Sequence, residues 1–423
     1  MKSLDDIAAA LQGYDPQALS VPHVLVFLDQ LISPLGSQDD QDLPVPQALG
    51  RVLAGDAVSP VDVPPHDNSA MDGFAFSGTS LTSDQPLTLR VVGTALAGAA
   101  WSGQVGAGEC VRIMTGAIMP VGLDTVAPQE LVRLEGDIVT LPPGRLQVGD
   151  NRRLRGEDIR AGHAALPAGQ RLTSAALGLV ASLGLPTVRV KRRLRVAYFS
   201  TGNEILSLGE PAREGAVYDS NRYTVMGMLE RLGCEMIDLG VVPDDPALLR
   251  AAFIQAAAQA DAVITSGGVS VGEADYTKAM MRELGDVAFW KIAMRPGRPM
   301  AVGRIGSSVL FGLPGNPVAV MVTFLAFVRP ALLKMMGCTD TAPPFLQAIC
   351  TETLRKKPGR TEYQRGIVTR TAQGVLQVRT TGNQGSGVLS SMVQGNGLIV
   401  LHHEQSDVRP GDTVNVMMLE GVI

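Results

Sequence analysis

The feature that most constrains this chain is a stretch from about residue 193 to 337 in which strand-like and helix-like segments alternate. Arg195 to Phe199, Met236 to Val242 and Ala262 to Thr265 read as strands, with helices at Tyr223 to Leu232 and Ala247 to Ala258 between them. The rhythm continues through a helix near Tyr276 to Leu284, strands near Val287 to Ile292 and Val309 to Leu313, and a closing helix from Pro317. Such alternation predicts a parallel sheet covered by helices on both faces, a doubly wound α/β domain. Ligands of that architecture bind at the carboxyl ends of the strands, so the loops there should carry the chemistry.

Those loops are unusually marked. Ser200, Thr201, Gly202, Asn203 and Glu204 follow the first strand, and the run Ser266, Gly267, Gly268, Val269, Ser270, Val271, Gly272, Glu273, Ala274, Asp275 follows the third. Glycines let backbone N–H groups approach an anion closely, and a following helix N-terminus adds partial positive charge. The loop Leu313, Pro314, Gly315, Asn316, Pro317 is a second anion seat or simply a well-made helix start, with Asn316 placed to cap and Pro317 at the first helical position.

Glu204, Asp244 and Asp275 fall in the same loops. Hard oxygen ligands beside phosphate are what Mg²⁺ takes. Asp245 reads instead as the cap of a helix beginning at Pro246, and residue chemistry alone leaves Asp275 open between a metal ligand and a structural role. Lys291, Arg295 and Arg298 place three cations after another strand, which suits phosphate or another oxyanion; surface ion pairing is the plain alternative.

With 423 residues, 45% apolar and 18% charged, the chain can bury several cores. The pattern divides it into a helical domain over 1–60 and 150–192, an inserted small β domain over 61–149, the α/β domain over 193–337, and a C-terminal β barrel over 338–423. Ser20 to Ile32 reads as a capped helix, Leu131 to Leu141 as a hairpin turning at Glu135, Gly136 and Asp137, and Thr173 and Ser174 as the start of a further helix.

A net charge of −5 argues against a surface built to neutralise a polyanion, and the clusters Arg152, Arg153, Arg155 and Arg189 to Arg193 read as solvated linker faces rather than a nucleic-acid patch. The longest apolar run, Val318 to Val328, is closed by Arg329 and Pro330. It falls short of the roughly 18–20 residues a bilayer span needs, so no membrane segment is expected. Met1 to Ala10 shows no targeting signal, and Cys110, Cys234, Cys338 and Cys350 are too scattered for a zinc site or a disulfide framework, so a cytoplasmic protein is expected.

Several motifs in order carry a resemblance: Asn68-Ser-Ala-Met-Asp-Gly-Phe-Ala75, Arg112-Ile-Met-Thr-Gly-Ala117, Arg155-Gly-Glu-Asp-Ile159, Thr201-Gly-Asn-Glu204, Tyr218-Asp-Ser-Asn221, Ser266 to Lys278, Leu313-Pro-Gly-Asn-Pro317 and Gln364-Arg-Gly366. Over nearly its whole length the chain resembles the molybdopterin molybdenumtransferases, the MoeA family, and also the gephyrin E domain. The resemblance implies a central domain of the molybdopterin-binding type and insertion of molybdate into adenylylated molybdopterin, with Mg²⁺-assisted release of AMP. It further implies a homodimer with a shared active site, in which Asp72, Thr115 and Asp158 reach the cleft from the partner subunit while Glu204, Asp244 and Asp275 come from the α/β domain and hold the metal.

The same resemblance implies that Thr201, Gly202, Ser266, Gly267, Gly268, Ser270, Gly272, Pro314, Gly315 and Asn316 bind substrate, and that Lys291, Arg295, Arg365 and Ser386 bind molybdate. Other proteins of molybdenum cofactor biosynthesis are implied as partners. At Arg295 several family members have lysine, and the bulkier planar guanidinium bears on oxyanion affinity rather than on the class of reaction. Two other readings compete: an adenylyltransferase making the adenylylated pterin, and a non-catalytic scaffold of the gephyrin type.

Overall fold

The computed structural model describes residues 3–268 and 276–419. Helix α1 (Leu4–Ala10) starts from a reciprocal cap, Ser3 accepting from the Asp6 N–H and Asp6 from the Ser3 N–H. Helix α2 (Val21–Leu31) starts at Ser20, whose hydroxyl accepts from the His23 N–H, as its sequence predicts. Both helices bury their apolar faces against the central domain. Phe27 meets Trp290 edge-on with ring centroids 4.9 Å apart, and the Trp290 indole N–H donates to the Tyr14 hydroxyl at 2.9 Å. The expected helical domain therefore splits, because α1 and α2 belong to the core of the central sheet.

The remaining part of that expected domain has its own small core, formed by Ala48, Leu53, Ala57, Leu166, Leu172, Ala176 and Val180. Residues 150–192, expected to return to helix, are helical only in α3 (Ser174–Ser182). The reason lies in their glycines: Gly149, Gly156, Gly162 and Gly169 all take left-handed φ between 68° and 92°, which turns the chain every six or seven residues. Between them run two-stranded ribbons, such as Ala164–Leu166 antiparallel to Ala57–Val58.

The inserted β domain is a mixed sheet of six strands. Its strand order is Thr125–Pro128, Gly73–Phe76, Glu109–Ile113, Leu87–Ala95, Ile138–Leu141, Arg133–Glu135, with a separate apolar cluster on each face. The last two strands form the hairpin expected around Gly136.

The central domain consists of β1 (Arg195–Thr201), α4 (Ser220–Leu232), β2 (Glu235–Val242), α5 (Pro246–Gln259), β3 (Ala262–Ser266), α6 (Tyr276–Leu284), β4 (Asp286–Lys291), β5 (Pro299–Ile305), β6 (Ser308–Leu313) and α7 (Pro317–Thr323). The sheet order is β2-β1-β3-β6-β5-β4. Helices α4 and α7 share a core with one face, and α5 and α6 cover the other. The sheet is not wholly parallel as the alternation predicts: β2, β1, β3 and β6 are parallel, while β5 runs antiparallel to both β6 and β4. Two reversals restore direction, so the carboxyl end of β4 lies on the same edge as those of β1, β3 and β6. Because β1 leads outward to β2 and the chain then returns past it to β3, the order reverses between β1 and β3, which opens a crevice there.

Helix α7 does not stop at Arg329 and Pro330. It continues through a π-turn (Phe324–Val328) into α8 (Arg329–Met335). Pro330 follows the π-turn directly, and such a bulge already interrupts the regular hydrogen-bond ladder that a mid-helix proline would break. The resulting 19-residue helix, Pro317–Met335, is long and apolar enough to cross a membrane, yet 89% of its apolar window is buried inside the fold.

Five C-terminal strands, Phe345–Cys350, Thr361–Arg370, Leu376–Thr380, Gly397–Leu401 and Thr413–Met418, close into a barrel when Thr361–Arg370 pairs with both Leu376–Thr380 and Gly397–Leu401. A short strand from the central domain, Met294–Arg295, adds to Thr361–Glu362 and fastens the barrel to the strand-end edge of the sheet.

Candidate active site

At the crevice, Ser200 on β1 and Ser266 on β3 lie in register. Behind them the buried Tyr198 hydroxyl sits 2.9 Å from Ser200 Oγ and 2.7 Å from Ser266 Oγ, and Thr201 donates to the Ser266 carbonyl at 3.5 Å. Burial pushes the Tyr198 phenol well above its ordinary pKa, so it stays a protonated donor. Gly267 has φ 92°, and a Cβ there would stand 2.6 Å from the Thr201 carbonyl oxygen, so only glycine lets the two strand ends approach this closely. Gly315 lies alongside, the Cβ position above it being 3.9 Å from Gly267 Cα. The structure thus brings Thr201, Gly202, Ser266, Gly267, Gly268, Pro314 and Gly315 to one edge. Ser270, Gly272 and Asp275 lie outside the described residues.

Glu204 and Asp244 sit on the adjacent loops after β1 and β2. The Asp244 N–H donates to Asn203 Oδ1 at 3.1 Å, Asn203 in turn accepts from Arg213 at its carbonyl, and the Val217 N–H donates to the Glu204 carbonyl at 2.9 Å. These bonds fix the loops, and among the described residues neither carboxylate has an ion pair. Two unpaired hard oxygen donors on neighbouring strand-end loops fit a divalent cation of the Mg²⁺ kind. Among the described residues no third acidic, cysteine or histidine side chain joins them. Asp245 does cap α5, its Oδ1 accepting from the N–H groups of Ala247 and Leu248, both at 2.9 Å.

Asn316 occupies the cap position of α7 but makes no side-chain cap bond, contrary to the sequence expectation. The Ser386 carbonyl accepts from the Val318 N–H at 3.1 Å and so satisfies the first turn, which frees the Asn316 amide to donate to Ser386 Oγ at 3.1 Å. Arg365 lies beneath the same barrel loop, only 1% exposed. Its Nε donates to Ser391 Oγ at 3.0 Å and its Nη2 to the carbonyls of Gly385 at 3.0 Å and Asn383 at 3.4 Å. Burial, with a smaller push from Arg295, lowers the Arg365 pKa to about 10, so it remains charged at neutral pH. Lys291 at the end of β4, Arg295 on the strand joining the barrel, Arg298 and Arg365 make no salt bridge among the described residues.

Asp72 and Thr115 form a tight exposed pair: the Thr115 N–H and hydroxyl both donate to Asp72 Oδ1 at 2.7 Å. The backbone bond, then the hydroxyl, hold the Asp72 carboxyl below the usual range, with Arg112 adding a smaller pull. Asp158 is exposed on a neighbouring loop anchored by Arg155, whose N–H donates to Asp67 at 2.8 Å and whose Nε donates to Asp62 at 2.5 Å. Among the described residues no hydrogen bond or ion pair runs from 61–149 to 193–419. Within one chain, Asp72 and Thr115 are therefore not tied by described polar contacts to the strand-end edge.

Sequence reasoning assigned no role to Asn203, Asn221 or Gln384. Asn221 Nδ2 donates to the Gly315 carbonyl at 2.8 Å, and Gln384 grips both the N–H and the carbonyl of Arg365, at 2.7 and 3.1 Å. The cavity of about 650 Å³ between α2, Phe327, Pro330, Tyr363 and Met417 lies away from this edge and is lined mainly by apolar side chains.

A glycine-lined crevice with unpaired carboxylates on one side and unpaired cations on the other equips an enzyme for a phosphate-bearing substrate and an oxyanion. Residues 197–334 match the probable molybdopterin binding domain, residues 19–184 the MoeA N-terminal region (domain I and II), and residues 347–419 the MoeA C-terminal region (domain IV). A molybdopterin molybdenumtransferase of Haemophilus influenzae is 44% identical over 371 residues, covering 88% of this chain and 91% of that protein. One from Nostoc is 36% identical over 422 residues, covering 97% and 95%. The crystal structure of a molybdopterin biosynthesis moeA protein from Pyrococcus horikoshii superposes with a TM-score of 0.80 at 28% identity, covering 95% of this chain and all of that one. The chain belongs to the MoeA family of molybdopterin molybdenumtransferases, enzymes of molybdenum cofactor biosynthesis.

Proposed function

We propose that the chain takes adenylylated molybdopterin and molybdate to molybdenum cofactor and AMP, at a site completed by a second copy of itself. The observation that carries this reading is that one sheet edge holds both Glu204 and Asp244, which among the described residues lack cation partners, and Lys291, Arg295 and Arg365, which among them lack anion partners. A diphosphate and an oxyanion are the ligands such an edge can serve together.

In this reading the Gly268 N–H at the mouth of the crevice receives a phosphate oxygen, which the bare glycine backbone lets approach closely. Glu204 and Asp244, joined by Asp275, would hold Mg²⁺, which when bound supplies polarisation of a phosphoryl oxygen and neutralises charge on the departing AMP. Lys291, Arg295 and the charged Arg365 attract molybdate. Because Ser386 Oγ already accepts from Asn316, its own proton is turned toward an oxyanion instead. Asp72, Thr115 and Asp158 would come from the partner subunit, a reading supported by the lack, among the described residues, of any hydrogen bond or ion pair from 61–149 to 193–419. The scattered free cysteines accord with the reducing cytoplasm.

The test is to mix purified protein, adenylylated molybdopterin, Mg²⁺ and molybdate, and to follow AMP together with metal incorporation. Both should rise in step. AMP formation without metal incorporation, or neither, would refute the assignment, and ATP consumption with metal-free pterin would point to an adenylyltransferase.

A further inference from the structure

Helix α4 begins with two side chains that each bury an acceptor atom which no described residue satisfies. Asp219 is 4% exposed and caps the helix, its Oδ1 accepting from the Arg222 N–H at 3.0 Å, yet its Oδ2 is buried without a partner. Asn221 is 8% exposed. Its Nδ2 is committed to the Gly315 carbonyl at 2.8 Å, which fixes the way the amide faces, and its Oδ1 is likewise buried without a partner. Buried polar atoms are nearly always hydrogen-bonded, so two orphans on one helical turn, one of them a carboxylate oxygen, call for a ligand.

Their position points to which ligand. The Gly315 that Asn221 holds lies against Gly267 at the crevice, and Asp219 caps the same helical turn two residues before Asn221. Both orphans thus belong to the wall of the substrate crevice. Both can only accept, so the matching ligand edge must only donate. Adenylylated molybdopterin carries two heterocycles. The pterin's aminopyrimidinone end sets an amino group beside a ring N–H, two adjacent donors, whereas adenine sets its amino group beside acceptor nitrogens.

We propose that Asp219 and Asn221 read the pterin ring, Asp219 Oδ2 and Asn221 Oδ1 accepting from its N–H donors, an inference that rests on the proposed function. A charge-assisted bond to the carboxylate makes Asp219 the stronger of the two contacts. Adenine in the same place would set its lone pairs against these oxygens, so the pair also orients the substrate.

Isothermal titration of metal-free molybdopterin and of AMP into the wild-type protein and Asp219→Asn tests this. Asparagine caps helices as well as aspartate, so α4 should persist while Oδ2 gives way to a donor. Molybdopterin should bind at least roughly tenfold more weakly to the variant, with AMP binding within about twofold of wild type. If D219N does not fold, Asp219→Ser, which keeps the cap and removes the second oxygen, decides on the same terms. Unchanged molybdopterin affinity would mean that solvent satisfies these atoms and would overturn the inference, and an equal loss of both ligands would overturn the pterin assignment. Failure of the wild-type protein to bind molybdopterin would strike the proposed function itself and this inference with it.

Discussion

Asn316 at the start of α7 donates its amide to Ser386 Oγ across 3.1 Å, joining the anion seat of the central sheet to a loop of the barrel seventy residues away in sequence. The bond sets the direction of the Ser386 hydroxyl proton, since an oxygen that accepts from one side presents its donor elsewhere. Ser386→Ala should therefore raise the KM for molybdate by roughly threefold to tenfold, the worth of one hydrogen bond. Binding of the pterin, measured by titration, should stay unchanged. A KM for molybdate equal to that of the wild type would remove Ser386 from the oxyanion site.

Glu204 and Asp244 have no ion-pair partner among the described residues. Glu204→Gln and Asp244→Asn should each raise the Mg²⁺ concentration for half-maximal AMP release by roughly tenfold or more. Because neither side chain forms an ion pair, unfolding free energy should move by less than about 0.5 kcal/mol. Matched Mg²⁺ titrations and denaturation curves separate the two effects. A normal Mg²⁺ requirement in both variants would place the cation elsewhere.

The Asp72 carboxyl is held down first by the Thr115 N–H and second by its hydroxyl. A carboxyl depressed in the folded chain contributes stability above its unfolded pKa, about 3.9, and loses it as pH falls through the lower folded value. Thr115→Val removes only the hydroxyl. The Asp72 titration midpoint, followed by NMR, should move upward yet remain below the ordinary range, because the backbone donor survives. An unmoved midpoint would show that the hydroxyl contributes nothing to the charge of Asp72.

Local signals carried the sequence reading as far as local signals reach. Tyr276–Leu284 and the Asp245 cap are visible because periodicity and capping act over a few residues. Strand β5 escapes notice because both of its faces are buried and so it has no alternation. Its Gly303, which reads as a break, is needed where a Cβ would stand 2.1 Å from the Asp286 carbonyl oxygen. The site followed the same division. Glycine loops and their acidic residues announce themselves, but Asn221 reaches Gly315 across 94 residues, and no spacing rule encodes that contact. Asp219 was visible only as part of a family motif, with no hint that one of its oxygens lies buried and free.

The inserted domain carries Asp72 and Thr115, and among the described residues it makes no polar contact with the central domain of its own chain; in the proposed function a second copy supplies them. Two-fold symmetry then makes a sharp prediction about mixed dimers. Asp72→Asn and Asp244→Asn should each inactivate the homodimer. A mixed dimer combines one site carrying both lesions with one site carrying neither, because each site takes Asp72 from one subunit and Asp244 from the other. Equal co-expression gives about half mixed dimers, each with one intact site of two, so activity should return to about a quarter of the wild-type value. If Asp72 instead served its own chain, every site in every dimer would carry a lesion, and co-expression would restore nothing above the separate variants.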